Sequence, residues 1–205
     1  MEGNGYTAVG LLDCPCLLQM EDHVSKFNSA QCFEVLHALM KKGINFVAVD
    51  FDLTLINVHT SGEFRGSSKD LAMKIRPCFL RLVPCLLDGN IAVAVVTFSA
   101  QTELIREAIQ LAFPLYWSKI VIRARDKTWG DMGDKAMYGK QKFLASAAEE
   151  SERIFQFDIA RNSTLLIDDD QKNIRIALRN KVQALLFIPD NPNSVLSEIV
   201  ELGRF

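Results

Sequence analysis

Five short apolar segments that alternate with amphipathic stretches of helical period constrain the fold of this chain more than any other feature. The segments lie at 46–49, 91–96, 120–122, 164–167 and 183–188. Their valine-, isoleucine- and leucine-rich runs are typical of strands that are buried on both faces. Strands that alternate with helices favour a parallel sheet covered on both sides. We therefore predict an α/β fold, a Rossmann-like three-layer sandwich with a mostly parallel sheet.

The predicted helices occupy the intervals between the strands. The first runs from about Ser29 to Lys42 and ends at Gly43, and its buried face is predicted to carry Phe33, Leu36, Leu39 and Met40. Further helices are predicted at about 68–75, 77–88, 101–113, 140–154, 171–179 and 194–202. Residues 55–67 and 124–139 are predicted to be loops, because glycines and polar residues concentrate there.

Composition and charge indicate one globular domain over 28–205, preceded by an N-terminal extension over 1–27 whose order the pattern does not predict. The net charge of -2 gives no general attraction to nucleic acid or to anionic lipid. No run reaches the roughly 20 apolar residues of a membrane span, and the first residues do not resemble a secretory signal. We expect a cytoplasmic protein with no membrane partner.

The five cysteines show no pair at the two-residue spacing of zinc or redox motifs. Cys78 and Cys85 lie in an apolar helical stretch, so we expect them to be buried thiols. This usage favours a reducing, intracellular compartment.

Polar side chains follow three of the predicted strands directly. Asp50 and Asp52 follow the first, Thr97 and Ser99 the second, and the acidic run 168–170 the fourth. Ligands of open α/β sheets bind at the carboxyl ends of the strands. Five carboxylates at one buried edge are costly without a compensating cation, and oxygen ligands favour magnesium over zinc. The sequence therefore predicts a magnesium site at this edge.

The same residues resemble the motifs of the haloacid dehalogenase-like (HAD) superfamily. The run Asp50-Phe51-Asp52-Leu53-Thr54 after an apolar strand looks like its first motif, and the strand that ends in Thr97 resembles its second. Lys140 is similar to the third, and Leu165-Leu166-Ile167-Asp168-Asp169 followed by Asn173 to the fourth. These elements occur in the family's order and span about residues 44–190.

The resemblance implies a HAD-like fold and a magnesium-dependent phosphatase that works through an aspartyl-phosphate. Asp50 would be the nucleophile and Asp52 the general acid and base. Within the family, the second aspartate argues for a phosphatase or a phosphotransferase, because the dehalogenase and P-type ATPase branches lack it. The resemblance implies this catalytic set: Asp50, Asp52, Thr97 and Lys140. It implies these contacts to the phosphate: Thr97, Phe98, Ser99 and Lys140. It implies these metal ligands: Asp50, Asp52, Asp168 and Asp169. Independently of the resemblance, the loop at 55–67 offers candidates for substrate contact, and we favour His59 among His59, Thr60, Phe64 and Arg65.

Two assignments near the predicted site stay open. Lys142 is the alternative to Lys140, which we favour because it follows Gly139 at a helix start and precedes the apolar pair at 143–144. Asp170 and Asn173 are expected to orient the loop or to cap the following helix. Asp126 and Trp129, in the second loop, are weaker candidates for substrate contact.

In this superfamily, substrate choice depends on caps, which are inserted modules that close over the site. In this chain, 42 residues separate Thr54 from Thr97, and another 42 separate Thr97 from Lys140. Neither interval holds a large cap. The resemblance implies a bulky substrate, since capless members often act on phosphoproteins or nucleic-acid ends, and the magnesium-dependent phosphatase-1 type is similar in size. We therefore expect a phosphorylated and bulky partner, and the net charge disfavours nucleic acid.

Three alternatives remain: a phosphotransferase with the same intermediate, a receiver domain and a binding module that keeps the fold. The early Asp50-x-Asp52 pair disfavours the receiver domain, and the intact aspartates disfavour the binding module.

Overall fold

A five-stranded parallel sheet forms the centre of the described part of the chain. The structure is a computed structural model that describes residues 29–125 and 138–204. The strands lie in the order β3-β2-β1-β4-β5, and all adjacent pairs are parallel. Their bounds are β1 Phe46–Val49, β2 Ala92–Val96, β3 Ile120–Arg123, β4 Thr164–Asp168 and β5 Gln183–Leu186. The predicted α/β, Rossmann-like architecture is confirmed.

Helices cover both faces of the sheet. They are α1 Ser29–Lys41, α2 Ser68–Ala72, α3 Pro77–Asp88, α4 Thr102–Ala112, α5 Gln141–Phe155, α6 Gln171–Arg179 and α7 Ser194–Leu202. Successive strand side chains point to opposite faces, so Val47 and Val49 lie in a core with residues of α1, α3, α4 and α7, whereas Ala48 lies in a second core with residues of α5 and α6. The central strands are therefore buried on both sides, which explains their unbroken apolar runs.

One helix near the site differs in length from the sequence prediction. The helix predicted at 68–75 is shorter, because α2 ends at Ala72 and Ile75 instead forms an antiparallel bridge with Ile56. Ser67 and Asp70 form a capping box that fixes the start of α2. The bridge closes the base of the segment 57–67, which we call the first loop.

The buried face of α1 is rotated relative to the predicted one. Leu39 is buried as expected and Leu36 packs partly against the core, but Phe33 and Met40 are exposed. Val35 and Ala38 are buried instead. The prediction for Phe33 and Met40 was wrong because apolar residues occupy two adjacent stripes of α1. Only the packing partners select between such stripes, since both have helical spacing.

The structure confirms the predicted free thiol for one of the two helical cysteines but not for the other. Cys78 is a buried free thiol, as expected. The prediction of a buried thiol was wrong for Cys85, which forms a disulfide with Cys32 that joins α3 to α1. The two Cα atoms are 5.9 Å apart, within the usual range for a disulfide. The pair lies far apart in sequence, so spacing rules did not indicate it.

Within the described ranges, no helix combines the length and apolar character that a membrane crossing requires. The proposed N-terminal extension, residues 1–27, lies outside the described residues.

Candidate active site

The chain makes a tight turn directly after β1, and this turn separates the two aspartates of the first motif. Asp50 is still extended, and residues Phe51–Leu55 form one irregular helical turn. Within it, Leu53 adopts a left-handed backbone with φ 60°, a conformation that is uncommon for a bulky residue. The Leu53 N–H donates to Val58 O at 3.1 Å and the Leu53 carbonyl accepts from Arg76 at 3.0 Å. Backbone strain that is held in place by surrounding contacts in this way is typical of functional sites.

Lys140 lies between two of the predicted carboxylates. Its ammonium group contacts Asp50, and it lies 2.9 Å from Asp168 Oδ2. Lys140 is only 2% exposed, although it precedes the first turn of α5. Lys142 is exposed, and its ammonium lies 5.8 Å from the Tyr138 ring centroid. Of the two candidate lysines, Lys140 is therefore the one that the fold brings to Asp50.

Asp168, the last residue of β4, is held by donors on its remaining sides. Its Oδ1 accepts the Asp170 N–H at 2.9 Å, and Asn173 Nδ2 lies 3.0 Å from Oδ2 and 3.2 Å from Oδ1. Asp170 itself caps α6, since its carboxylate accepts from the Lys172 N–H at 2.8 Å. The expected orienting and capping roles of Asn173 and Asp170 thus agree with their hydrogen bonds.

Asp169 completes a group of carboxylates that can hold a metal ion. One oxygen each of Asp50, Asp168 and Asp169 lies within 4.8 Å of the others. Asp169 is fixed by Thr54, whose hydroxyl donates to Asp169 Oδ1 and accepts from the Asp169 N–H, each at 3.1 Å. Hard oxygen ligands of this kind suit a divalent cation such as Mg²⁺ or Ca²⁺.

The electrostatics of the group also fit a cation. The pKa of Asp50 is raised from its usual 3.8 to about 7. Burial is the largest cause, the charges of Asp168 and Asp169 add to it, and Lys140 acts in the opposite direction. Burial opposes the charge of Lys140, but Asp50 and Asp168 outweigh it and raise the pKa of Lys140. The group of three carboxylates thus has one ammonium, which contacts two of them, and a further positive charge would stabilise the group.

Asp52 does not join the three carboxylates that lie close together. Its carboxylate accepts hydrogen bonds from the backbone and the hydroxyl of Thr60, in the first loop. His59 Nδ1 lies 3.7 Å from Asp52 Oδ2, and the His59 side chain is 62% exposed. The predicted substrate residue His59 is therefore a neighbour of Asp52 at the rim of the site.

The residues after β2 line the other side of the site. Thr97 and Ser99 are buried, and the Ser99 N–H donates to Thr97 Oγ1 at 3.1 Å. The Phe98 ring centroid lies 5.6 Å from Lys140 Nζ. All of these groups face one open cavity of about 720 Å³. Its lining includes Asp50, Asp52, His59, Thr97, Phe98, Ser99, Lys140, Asp168 and Asp169.

The cavity thus brings together each predicted site residue in the described ranges. Asp126 and Trp129 lie outside the described residues. Arg125 also lines the cavity, although no sequence motif pointed to it. Thr60 was a candidate for substrate contact by its place in the loop, but its hydrogen bonds to Asp52 were not expected. A threonine in a polar loop carries no periodic or spacing signal, so only the tertiary contact identifies this role.

Comparison of the chain with models of protein families, with curated proteins and with solved structures finds no match in any of the three.

Proposed function

We propose that this protein is a magnesium-dependent phosphatase that hydrolyses a phosphate monoester through an aspartyl-phosphate on Asp50. The observation that carries the proposal is the buried contact of Lys140 with Asp50 and Asp168 at the carboxyl edge of the sheet. Asp50 and the metal-competent carboxylates converge there with Asp52 close by in the same cavity. The resemblance of the four motifs to the HAD superfamily supports the same chemistry.

In the first step, a carboxylate oxygen of Asp50 attacks phosphorus as the bond from phosphorus to the ester oxygen breaks. The leaving oxygen takes a proton from Asp52, which avoids the release of an alkoxide. In the second step, Asp52 removes a proton from water as the water attacks the aspartyl-phosphate. Asp50 is regenerated, and inorganic phosphate leaves.

Lys140 and the residues after β2 would receive the phosphoryl group. Lys140 contacts Asp50, so its ammonium would balance charge that develops on the phosphoryl oxygens. Thr97, Phe98 and Ser99 line the same cavity and would supply hydroxyl and backbone donors to those oxygens. The position of Phe98 beside Lys140 shields one side of the ammonium from water.

Asp50, Asp168 and Asp169 would hold the magnesium ion. When bound, the ion supplies charge that reduces the repulsion between an anionic substrate and the carboxylates. The carboxylate of Asp52, assigned to the metal by the resemblance, instead contacts Thr60, so we propose the acid-base role for this side chain.

The substrate we propose is a phosphorylated and bulky molecule such as a phosphoprotein. The short intervals between the motifs leave no room for a large cap, and the cavity is open to solvent. A capless site admits a phosphate that is carried on a large surface.

Hydrolysis of p-nitrophenyl phosphate with and without Mg²⁺ tests the proposal. We expect Mg²⁺-dependent release of phosphate from the wild-type protein. Asp50→Asn should lower kcat at least about a thousandfold, because the nucleophile is lost. Asp52→Asn should lower kcat about 10²- to 10⁴-fold, the usual contribution of a general acid and base.

The matched control is Asp158→Asn. Asp158 is an exposed aspartate that precedes β4, at the opposite edge of the sheet, so its loss should leave kcat unchanged. Activity that survives Asp50→Asn would disprove the nucleophile. Bound Mg²⁺ without hydrolysis of any phosphate ester would favour a binding module, and transfer to an added alcohol in place of water would favour a phosphotransferase.

A further inference from the structure

The carboxylate of Asp52 is fixed by a residue eight positions later in the chain. The Thr60 N–H donates to Asp52 Oδ1 at 3.0 Å, and the Thr60 hydroxyl donates to the same oxygen at 2.7 Å. Thr60 is only 9% exposed, although it belongs to a surface loop. Two donors from one buried residue define the orientation of this carboxylate.

A third hydrogen bond determines the direction of the Thr60 hydroxyl proton. The Gly62 N–H donates to Thr60 Oγ1 at 3.2 Å, so this oxygen is already an acceptor there. A threonine hydroxyl has one proton, and its shortest contact to an acceptor is Asp52 Oδ1. The second Asp52 oxygen, Oδ2, is 3.1 Å from Thr60 Oγ1 and 3.7 Å from His59 Nδ1. Oδ1 is therefore the anchored oxygen and Oδ2 the less constrained one.

The first loop is itself tied to the elements that carry the rest of the site. On one side of Thr60, Val58 O accepts from the Leu53 N–H of the turn after β1. On the other side, the Gln101 side chain bridges both backbone groups of Phe64, at 2.7 and 2.9 Å. Gln101 directly precedes α4 and follows the 97–99 segment that lines the cavity. The position of Thr60 is thus coupled to both walls of the site.

We propose that Thr60 is a positioning residue that holds Asp52 for proton transfer, an inference that rests on the proposed phosphatase function. Thr60 binds Oδ1, so Oδ2 is the oxygen that gives its proton to the ester oxygen and later accepts the proton of the attacking water. Thr60 keeps its own proton throughout. A general acid must lie within hydrogen-bond reach of the atom that it protonates, and misplacement of about 1 Å costs about a hundredfold in rate.

The test compares Thr60→Val, which removes the hydroxyl at constant shape, with Thr60→Ser, which keeps it. Ethyl phosphate and p-nitrophenyl phosphate are the substrates, because an alkoxide needs a proton to leave and nitrophenolate does not. We expect Thr60→Val to lower kcat for ethyl phosphate about a hundredfold with little change in KM. Thr60→Ser should restore kcat to within a few-fold of the wild type.

With p-nitrophenyl phosphate, the first step of Thr60→Val should persist while water attack is slowed. We expect a burst of about one nitrophenolate per protein molecule, and a phosphorylated protein that is detected by intact mass. A merely structural role of Thr60 would lower the burst and the steady rate together.

The control is Thr164→Val, the same chemical change at another buried and hydrogen-bonded threonine. Thr164 Oγ1 donates to Ala160 O at 2.8 Å, at the opposite end of β4. If the melting temperature of Thr60→Val lies far below that of the wild type, Thr60→Ala is used in the same kinetic measurements instead.

Wild-type kcat for ethyl phosphate in a folded Thr60→Val protein, or an equal loss in Thr164→Val, would overturn the positioning role alone. An inactive wild-type protein would instead refute the proposed function, and this inference with it.

Discussion

Lys140 shows how one buried residue balances the charge of the site. It is 2% exposed and contacts both Asp50 and Asp168, so its removal leaves these buried carboxylates without their cationic partner. Loss of one member of a buried ion pair is far more costly than loss of a surface pair.

We therefore expect Lys140→Met to lower the free energy of unfolding by about 3–5 kcal/mol in the absence of divalent cations. Methionine fills a similar volume, so the loss reports the missing charge rather than a cavity. Urea unfolding measures the effect. Lys142→Met is the matched control, because Lys142 is exposed and only two residues away; its effect should stay within about 0.5 kcal/mol. Equal effects of the two variants would contradict the charge-balancing role.

At the scale of elements, local capping and turn interactions and one disulfide stabilise the described part of the chain. The capping box of Ser67 and Asp70 starts α2, and Gly43 ends the turn after α1 with φ 69°. Each of these interactions joins residues that are only a few positions apart in sequence. The disulfide from Cys32 to Cys85 is different, since it joins α1 and α3 across 53 positions of sequence.

We expect Cys32→Ser to lower the free energy of unfolding by about 2–4 kcal/mol under oxidising conditions, because the disulfide restricts the unfolded chain. In reducing buffer the variant and the wild type should unfold alike, and this comparison is the control. Guanidinium unfolding with and without reductant measures the difference, and a non-reducing digest should yield a peptide that links Cys32 to Cys85. A digest without this peptide would contradict the pairing.

The disulfide also bears on the compartment. Disulfides rarely persist in a reducing cytosol. The cytoplasmic location stays a prediction, and the pairing of Cys32 with Cys85 is the observation that speaks against it.

At the scale of the whole molecule, the site exists only when the fold is complete. Asp50 directly follows β1, Asp168 ends β4 with Asp169 next to it, and Lys140 directly precedes α5. The register of β1 with β4 places Val49 beside Ile167, so the carboxylates that follow the two strands are neighbours. An ion held by these residues binds the folded state alone, and it must therefore stabilise that state.

We expect Mg²⁺ at a hundred times its Kd to stabilise the protein by about 2.7 kcal/mol, through preferential binding to the folded chain. Melting temperatures measured with Mg²⁺ and after chelation test this expectation. Asp169→Asn should abolish most of the shift, since it removes one of the three carboxylates, whereas Asp158→Asn should retain it. A shift of equal size in Asp169→Asn would show that the ion binds elsewhere.

The sequence by itself determined the architecture and the composition of the site. Unbroken apolar runs such as 46–49 occur because central parallel strands are buried on both faces, and the run reports that burial directly. Asp50, Thr97 and Asp168 were recognisable because each lies at or just after the end of a strand, where parallel sheets bind ligands.

Only the tertiary structure decided which groups meet. It brought Lys140 rather than Lys142 to Asp50, joined Cys85 to Cys32, and turned Phe33 and Met40 of α1 to solvent. Periodicity describes the environment along one element, whereas these choices depend on elements that are distant in sequence. The same reason applies to Asp52. Its motif suggested the chemistry, but its anchor, Thr60, became visible only where the first loop folds back over the end of β1.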